Sequence, residues 1–166
     1  MDFNIAVLPG DGIGPEVIGE AVKILQVVGV RFGHCFEVRS GAIGGGAIDA
    51  CGTALPAETL ALCQGVDAVL FGASGGPQWD IVDAPVRPEA GILQLRSGFG
   101  LFANLRPARA HPALYGASSL KPEYLEGVDL LIVRELIGGL YFARPKKRWR
   151  TARGRRRSVD SLKYSE

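Results

Sequence analysis

The 166-residue sequence predicts an α/β fold, a sheet with flanking helices, and three observations carry the prediction. Apolar runs at Phe3 to Leu8, Val66 to Phe71 and Val128 to Val133 have the length and composition of buried strands. Between the first two, residues 17–28 repeat their apolar side chains at helical spacing. Glycine-rich loops stand at the strand exits, and strands alternating with helices argue for a parallel sheet that binds ligands at the carboxyl ends of its strands.

The elements follow in order. After the first strand, Pro9-Gly10-Asp11-Gly12-Ile13-Gly14-Pro15 allows tight turning, and Pro15 suits the first turn of a helix. Val17, Ile18, Ala21, Val22, Ile24, Leu25 and Val28 continue it. The dinucleotide fingerprint G-x-G-x-x-G fails here because position 15 is proline, so this is not a Rossmann loop. His34 to Val38 reads as a second strand, Ser40 to Gly52 as a long glycine-rich connection, and Pro56 to Cys63 as a short helix. Val66 to Phe71 exits into Gly72-Ala73-Ser74-Gly75-Gly76-Pro77, which places the loop from Gly76 to Glu89 where a ligand sits. Trp79 in that loop either stacks on a flat ring or pins the loop down.

Composition sets the bounds. A hydrophobic content of 47% with 23 glycines fits a compact, loop-rich chain with a real core. The net charge of +2 conceals an asymmetry, for residues 1–143 carry nine Lys or Arg against fifteen acids and residues 144–166 carry ten against two. The three cysteines form no C-x-x-C pair, which favours reduced thiols and a cytoplasmic setting. No signal peptide and no apolar run of membrane-spanning length is read, so no membrane partner is expected. His34 and His111 lie far apart in sequence and support no histidine metal site. The arm from Arg144 to Arg157 reads as a solvated surface segment without a core. A nucleic-acid partner is disfavoured, since nothing else resembles a nucleic-acid module.

The stretch from Arg87 to Arg109 holds the chemistry. Glu89, Ile92, Leu93 and Arg96 share a helical face, and Arg106 ends the apolar run Leu101 to Leu105. Arg134 stands in the same way at the exit of a strand. Guanidinium groups beside an apolar pair suit a branched organic acid, because guanidinium grips carboxylate through two parallel hydrogen bonds. The plainer alternative is that the arginines are solvated and Ile92 and Leu93 are ordinary core.

Six segments resemble one family. IAVLPGDGIGPEV (Ile5 to Val17), GGAID (Gly45 to Asp49), FGASGGPQWD (Phe71 to Asp80), RPEAGILQLR (Arg87 to Arg96), LFANLRP (Leu101 to Pro107) and VRELIGGLYF (Val133 to Phe142) resemble, in order, the 3-isopropylmalate dehydrogenase family. The resemblance implies an incomplete isopropylmalate/isocitrate dehydrogenase-like sheet and NAD-dependent oxidative decarboxylation of 3-isopropylmalate to 4-methyl-2-oxopentanoate in leucine biosynthesis. It further implies Tyr141 as the catalytic acid, Arg96, Arg106 and Arg134 as substrate-binding arginines, and Ile92 with Leu93 behind it against the isopropyl group. Its cofactor segment falls on Gly76, Pro77, Gln78, Trp79, Asp80, Ile81, Val82, Asp83, Ala84, Pro85, Val86, Arg87, Pro88 and Glu89. A homodimer and Mg2+ or Mn2+ are implied too, with the metal ligands, a catalytic lysine and the adenosine-gripping segment lying in a part of the family's chain that has no counterpart here.

By the same resemblance, residues 1–99 begin the cofactor-side domain, 100–143 begin the second domain, and 144–166 are a basic arm cut short. The isolated chain is therefore expected to be inactive. Ser97 and Gly98 stand where the family usually carries a basic residue, and glycine inside a helix costs about 1 kcal/mol against alanine. Two other readings stay open: a sister dehydrogenase acting on malate or tartrate, and a nonenzymatic remnant or binding protein.

Overall fold

The computed structural model describes residues 1–81 and 84–165, so Val82 and Asp83 of the implied cofactor segment lie outside the described residues. The chain divides into two compact units, Met1–Leu95 and Arg96–Glu166.

In the first unit, strand β1 (Asp2–Gly10) leads into helix α1 (Gly14–Phe32), strand β2 (Cys35–Ser40), helices α2 (Gly45–Cys51) and α3 (Ala57–Gln64), and strand β3 (Ala68–Ala73). The sheet runs β2-β1-β3 with both pairings parallel. All three strand exits therefore open on one edge, and β1, with a neighbour on each side, stands at the switch point where a crevice forms. The alternation of β1 sets two packing layers. Ile5 and Val7 meet Ile18 in a core that Phe3, Val22, Phe36, Val38 and Leu70 extend. Leu8, fully buried, packs instead near Gly41 and Thr59, whose hydroxyl donates to the Ala42 carbonyl at 2.8 Å.

Helix α1 starts with Pro15 in its first turn and ends at Gly33, which takes the left-handed conformation at φ 69° and donates its N–H to Gly29. Its apolar residues do not all face the core. Ile18 and Gly29 are buried, whereas Val17 and Ile24, members of the same apolar repeat, are exposed. The helix is apolar on too many sides for one sheet face to cover. Within the stretch expected as a glycine-rich connection, α2 is a helix; its N-terminal amides find a carboxylate, described below, that lets a Gly-Gly start hold.

Helix α4 (Glu89–Gly98) begins in the first unit and continues past Leu95. Gly91 and Leu95 are its buried residues. Gly98 is its last residue, so the interior penalty expected of that glycine does not apply.

The second unit contains strand β4 (Ala103–Arg109), helix α5 (Pro122–Leu125), strand β5 (Asp129–Glu135), helix α6 (Gly139–Phe142) and strands β6 (Lys147–Arg150) and β7 (Arg156–Val159). Strand β5 corrects an expectation: it pairs antiparallel with β4, and all seven of its residues are exposed. An apolar run fixes a strand but not its cover, which neighbouring elements must supply. The basic arm is also more ordered than a plain solvated segment, since β6 and β7 form an antiparallel hairpin. Its turn is closed by Thr151 accepting from Gly154 and donating to Arg155, with Gly154 at φ +74°.

Candidate functional site

At the strand-exit edge of the first unit, Asp11 follows directly on β1 and is 4% exposed. Its Oδ2 accepts from the Gly45 amide at 2.6 Å and the Gly75 amide at 2.9 Å, and its Oδ1 accepts from the Gly46 amide at 2.8 Å. Among the described residues it has no ion-pair partner, so three backbone dipoles at the start of α2 and the exit of β3 hold the charge. Trp79, in a 3₁₀ turn at Pro77–Trp79, lies over Gly45, where a Cβ would come within 2.2 Å of its ring. Its indole N–H donates to both carboxylate oxygens of Asp49, at 3.1 and 3.2 Å. Trp79 therefore pins its loop onto α2.

That loop encloses a cavity of about 410 Å³. Its walls include Ser74, Gly75, Gly76, Trp79, Arg87 and Glu89, with Pro77, Asp80 and Pro88 completing the lining. Gly75 sits at φ +98°, and a Cβ there would lie 2.9 Å from the Glu89 carboxylate, so glycine allows that carboxylate to close over the loop. Of the segment expected to hold cofactor, Gln78, Ile81, Ala84, Pro85 and Val86 do not line this cavity.

The second unit carries a separate concavity of about 560 Å³. Arg106 on β4, Arg134 on β5 and Tyr141 on α6 line it together with Ile132, Leu140 and Leu162. The strand register explains the meeting of the arginines: Asn104 opposes Arg134 and Arg106 opposes Ile132, so both guanidinium groups leave the hairpin on one face. Arg106 donates from Nε to Asn104 Oδ1 at 2.9 Å, which orients its outer nitrogens without a charged partner. Glu135 also lines the concavity, but its Oε1 accepts from the Ile137 and Gly138 amides, both at 2.6 Å, in a turn that leads into α6. Among the described residues neither arginine forms an ion pair, so the cavity keeps a positive character.

Arg96, half-buried on α4, does not line this concavity, and Ile92 and Leu93, both half-buried, belong to the first unit. Sequence reasoning passed over Asp11, Asn104, Glu135 and Tyr164, the last lining both this cavity and its neighbour beside Phe142. Two of them carried a signal: Asp11 is an acid between glycines at a strand exit, and Glu135 precedes a Gly-Gly turn by three residues. Among the described residues, no three His, Cys, Asp or Glu side chains cluster as a metal site. Burial raises the Cys63 thiol above its ordinary pKa; that residue lies on α3, away from both cavities.

Residues 4–166 match the family described as isocitrate/isopropylmalate dehydrogenase. The chain is 55% identical over its whole length to the 3-isopropylmalate dehydrogenase of Anaeromyxobacter dehalogenans (strain 2CP-C), of which it covers 47%. It is 55% identical over 98% of its length to the 3-isopropylmalate dehydrogenase of Gloeobacter violaceus (strain ATCC 29082 / PCC 7421), of which it covers 45%. The chain thus spans less than half the length of these curated relatives. Among solved structures, a beta-decarboxylating dehydrogenase from Thermococcus kodakarensis matches with a TM-score of 0.61 and 34% identity, over 97% of this chain and 41% of that one. Isocitrate dehydrogenase from Methylococcus capsulatus shares the fold, with a TM-score of 0.68 and 24% identity over 95% of this chain and 42% of that one. With one family matched across almost every residue of both units, the chain belongs to the isocitrate/isopropylmalate dehydrogenases.

Proposed function

We propose that this chain supplies the first cofactor segment and part of the substrate site for oxidative decarboxylation of 3-isopropylmalate to 4-methyl-2-oxopentanoate, a step of leucine biosynthesis. The observation that carries the reading is the meeting of Arg106, Arg134 and Tyr141 in one positively charged, partly apolar cavity. Two guanidinium groups on one hairpin face suit a dicarboxylate, each gripping oxygens through parallel hydrogen bonds. Arg96 is proposed as the third carboxylate contact, and Ile92 and Leu93 as the surface for the isopropyl group. An apolar surface separates homologues by only about 1–3 kcal/mol per methylene, but it rejects an extra carboxylate far more strongly, since a buried unpaired charge is costly.

In the proposed reaction the substrate hydroxyl carbon loses hydride and the hydroxyl loses its proton. The carbon–carbon bond to one carboxylate then breaks with release of carbon dioxide, and the enolate carbon left behind takes up a proton. Tyr141 is the proposed donor of that proton. Tyr141 is 60% exposed, and in the proposed cycle water replaces the proton after each turnover.

The loop cavity of the first unit fits part of a dinucleotide. Glu89 offers a carboxylate to accept from ribose hydroxyls, Arg87 offers a cation to phosphate, and Gly75 and Gly76 leave room that a Cβ would fill. When bound, NAD supplies the hydride acceptor. The Mg2+ or Mn2+ of the proposed reaction is assigned to no residue here, because the resemblance puts its ligands in the part of the family's chain that has no counterpart in this one.

The proposal extends to residues 1–99 as part of a cofactor-side domain, residues 100–143 as the start of a second, and residues 144–166 as an arm, in a cytoplasmic homodimer. Among the described residues no helix is long and apolar enough to cross a membrane. The test is NADH formation from 3-isopropylmalate by two proteins: this chain alone, and this chain completed with the remaining residues of the A. dehalogenans relative. Turnover by the completed protein and none by the isolated chain is the expected result. Failure of the completed, folded protein to turn over this acid would overturn the reading.

A further inference from the structure

We infer that Asp11 is a positioning residue for the cofactor loop, a buried carboxylate whose charge holds the root of that loop and the platform beneath it in one arrangement. The inference rests on the reading of the loop cavity as a dinucleotide site, but its geometry is independent of that reading. One carboxylate gathers three amides from two segments far apart in sequence, at 2.6, 2.8 and 2.9 Å, while its own backbone N–H donates to the Ala73 carbonyl at 2.8 Å. Gly75 is where the loop leaves β3, and Gly45 is the surface on which the Trp79 ring rests. Both are walls or supports of the cavity, so both are fixed by the same group.

The site is cut to fit an aspartate. A Cβ on Gly44, which sits at φ +88°, would lie 2.2 Å from Asp11 Oδ2, so glycine there makes room for the carboxylate and leaves none for a longer one. Asparagine has the same shape, but it replaces one acceptor oxygen by an NH2 group. That group would face an amide N–H, donor against donor, in a site with 4% exposure and little access to water. The carboxylate charge, rather than the volume of the side chain, is what keeps all three amides engaged.

The experiment uses this chain with Trp149→Phe, which leaves Trp79 as the single tryptophan of the two in the sequence. Asp11→Asn removes the charge, and Gly44→Ala displaces the carboxylate while keeping it. Ile5→Val, in the core opposite α1, is a matched destabilised control that touches neither loop nor carboxylate. Readouts are hydrogen exchange of the Gly45, Gly46 and Gly75 amides and acrylamide quenching of Trp79 in this chain, and titration with NADH of the same variants in the chain completed with the remaining residues of the A. dehalogenans relative. Both Asp11→Asn and Gly44→Ala should speed exchange at the three amides and weaken NADH binding by about tenfold, the effect of losing hydrogen bonds to a charged group. Trp79 should become more accessible in both, and Ile5→Val should change none of these. Unchanged exchange and quenching in a folded Asp11→Asn would overturn the inference, as would equal changes in Ile5→Val. Absence of NADH binding by the completed parent protein would instead overturn the cofactor reading, with the exchange data still deciding the role of Asp11.

Discussion

Cys63 shows how burial alone alters a residue's chemistry. The thiol is 4% exposed at the end of α3, and desolvation raises its pKa because burial penalises the thiolate. The folded chain then holds that proton more tightly than the unfolded one, so the associated stability is intact below the ordinary thiol pKa and lost as pH rises through the folded value. Ellman's reagent at pH 8 should therefore titrate the exposed Cys35 and Cys51 in the native chain and reach the third thiol only after denaturant is added. Cys63→Ala should flatten the alkaline decline of the urea midpoint. At this scale the sequence revealed side-chain chemistry better than side-chain company. Arg106 and Arg134 stood out by type and position and Tyr141 through the family resemblance, whereas Asp11 was hidden among glycines because its three amide partners come from segments more than thirty residues away.

The elements separate what local pattern determines from what neighbours determine. The parallel strands β1, β2 and β3 and the long helix α1 were legible because apolar runs and helical spacing are local properties. Helix α2 was not, since three successive glycines argue for a loop until the Asp11 carboxylate caps the first amides. The exposure of β5 was equally invisible, because an apolar strand reads the same whether or not anything covers it. The β4–β5 hairpin gives the proposed substrate site its geometry, placing Arg106 and Arg134 on one face beside α6. In the completed protein, Tyr141→Phe should lower kcat by about 10²–10⁴, the contribution of a positioned general acid, with little change in KM for 3-isopropylmalate. The β6–β7 hairpin carries a different stress. Arg150 and Arg156 are directly opposed, and like charges so placed are destabilising. Arg150→Glu should raise hairpin stability by about 0.5 kcal/mol, read from amide exchange of its paired residues at low salt, and the gain should shrink as salt is added.

On the scale of the whole molecule, the chain carries two kinds of site on two compact units, a loop cavity at parallel-strand exits and an arginine-lined concavity beside an antiparallel hairpin. Both hold positions that the family resemblance had marked, and the chain matches its family over nearly its full length while spanning under half of its curated relatives. Apolar side chains on α1 and β5 stay exposed, including Val30, Leu131 and Val133. Six ordered motifs made the family readable from sequence, and a parallel sheet with loops at one edge followed from strand and helix pattern alone. What pattern withheld was pairing: which strand lies antiparallel to which, and which carboxylate answers which amide, are settled by contacts distant in sequence.

These residues are proposed to serve a decarboxylating oxidation of a branched dicarboxylic acid. Product stoichiometry tests it most directly, in the chain completed with the remaining residues of the A. dehalogenans relative and supplied with 3-isopropylmalate and NAD. NADH, carbon dioxide and 4-methyl-2-oxopentanoate are expected in equal amounts. Turnover of malate or tartrate with none of 3-isopropylmalate, or NADH formed without carbon dioxide, would contradict this proposal.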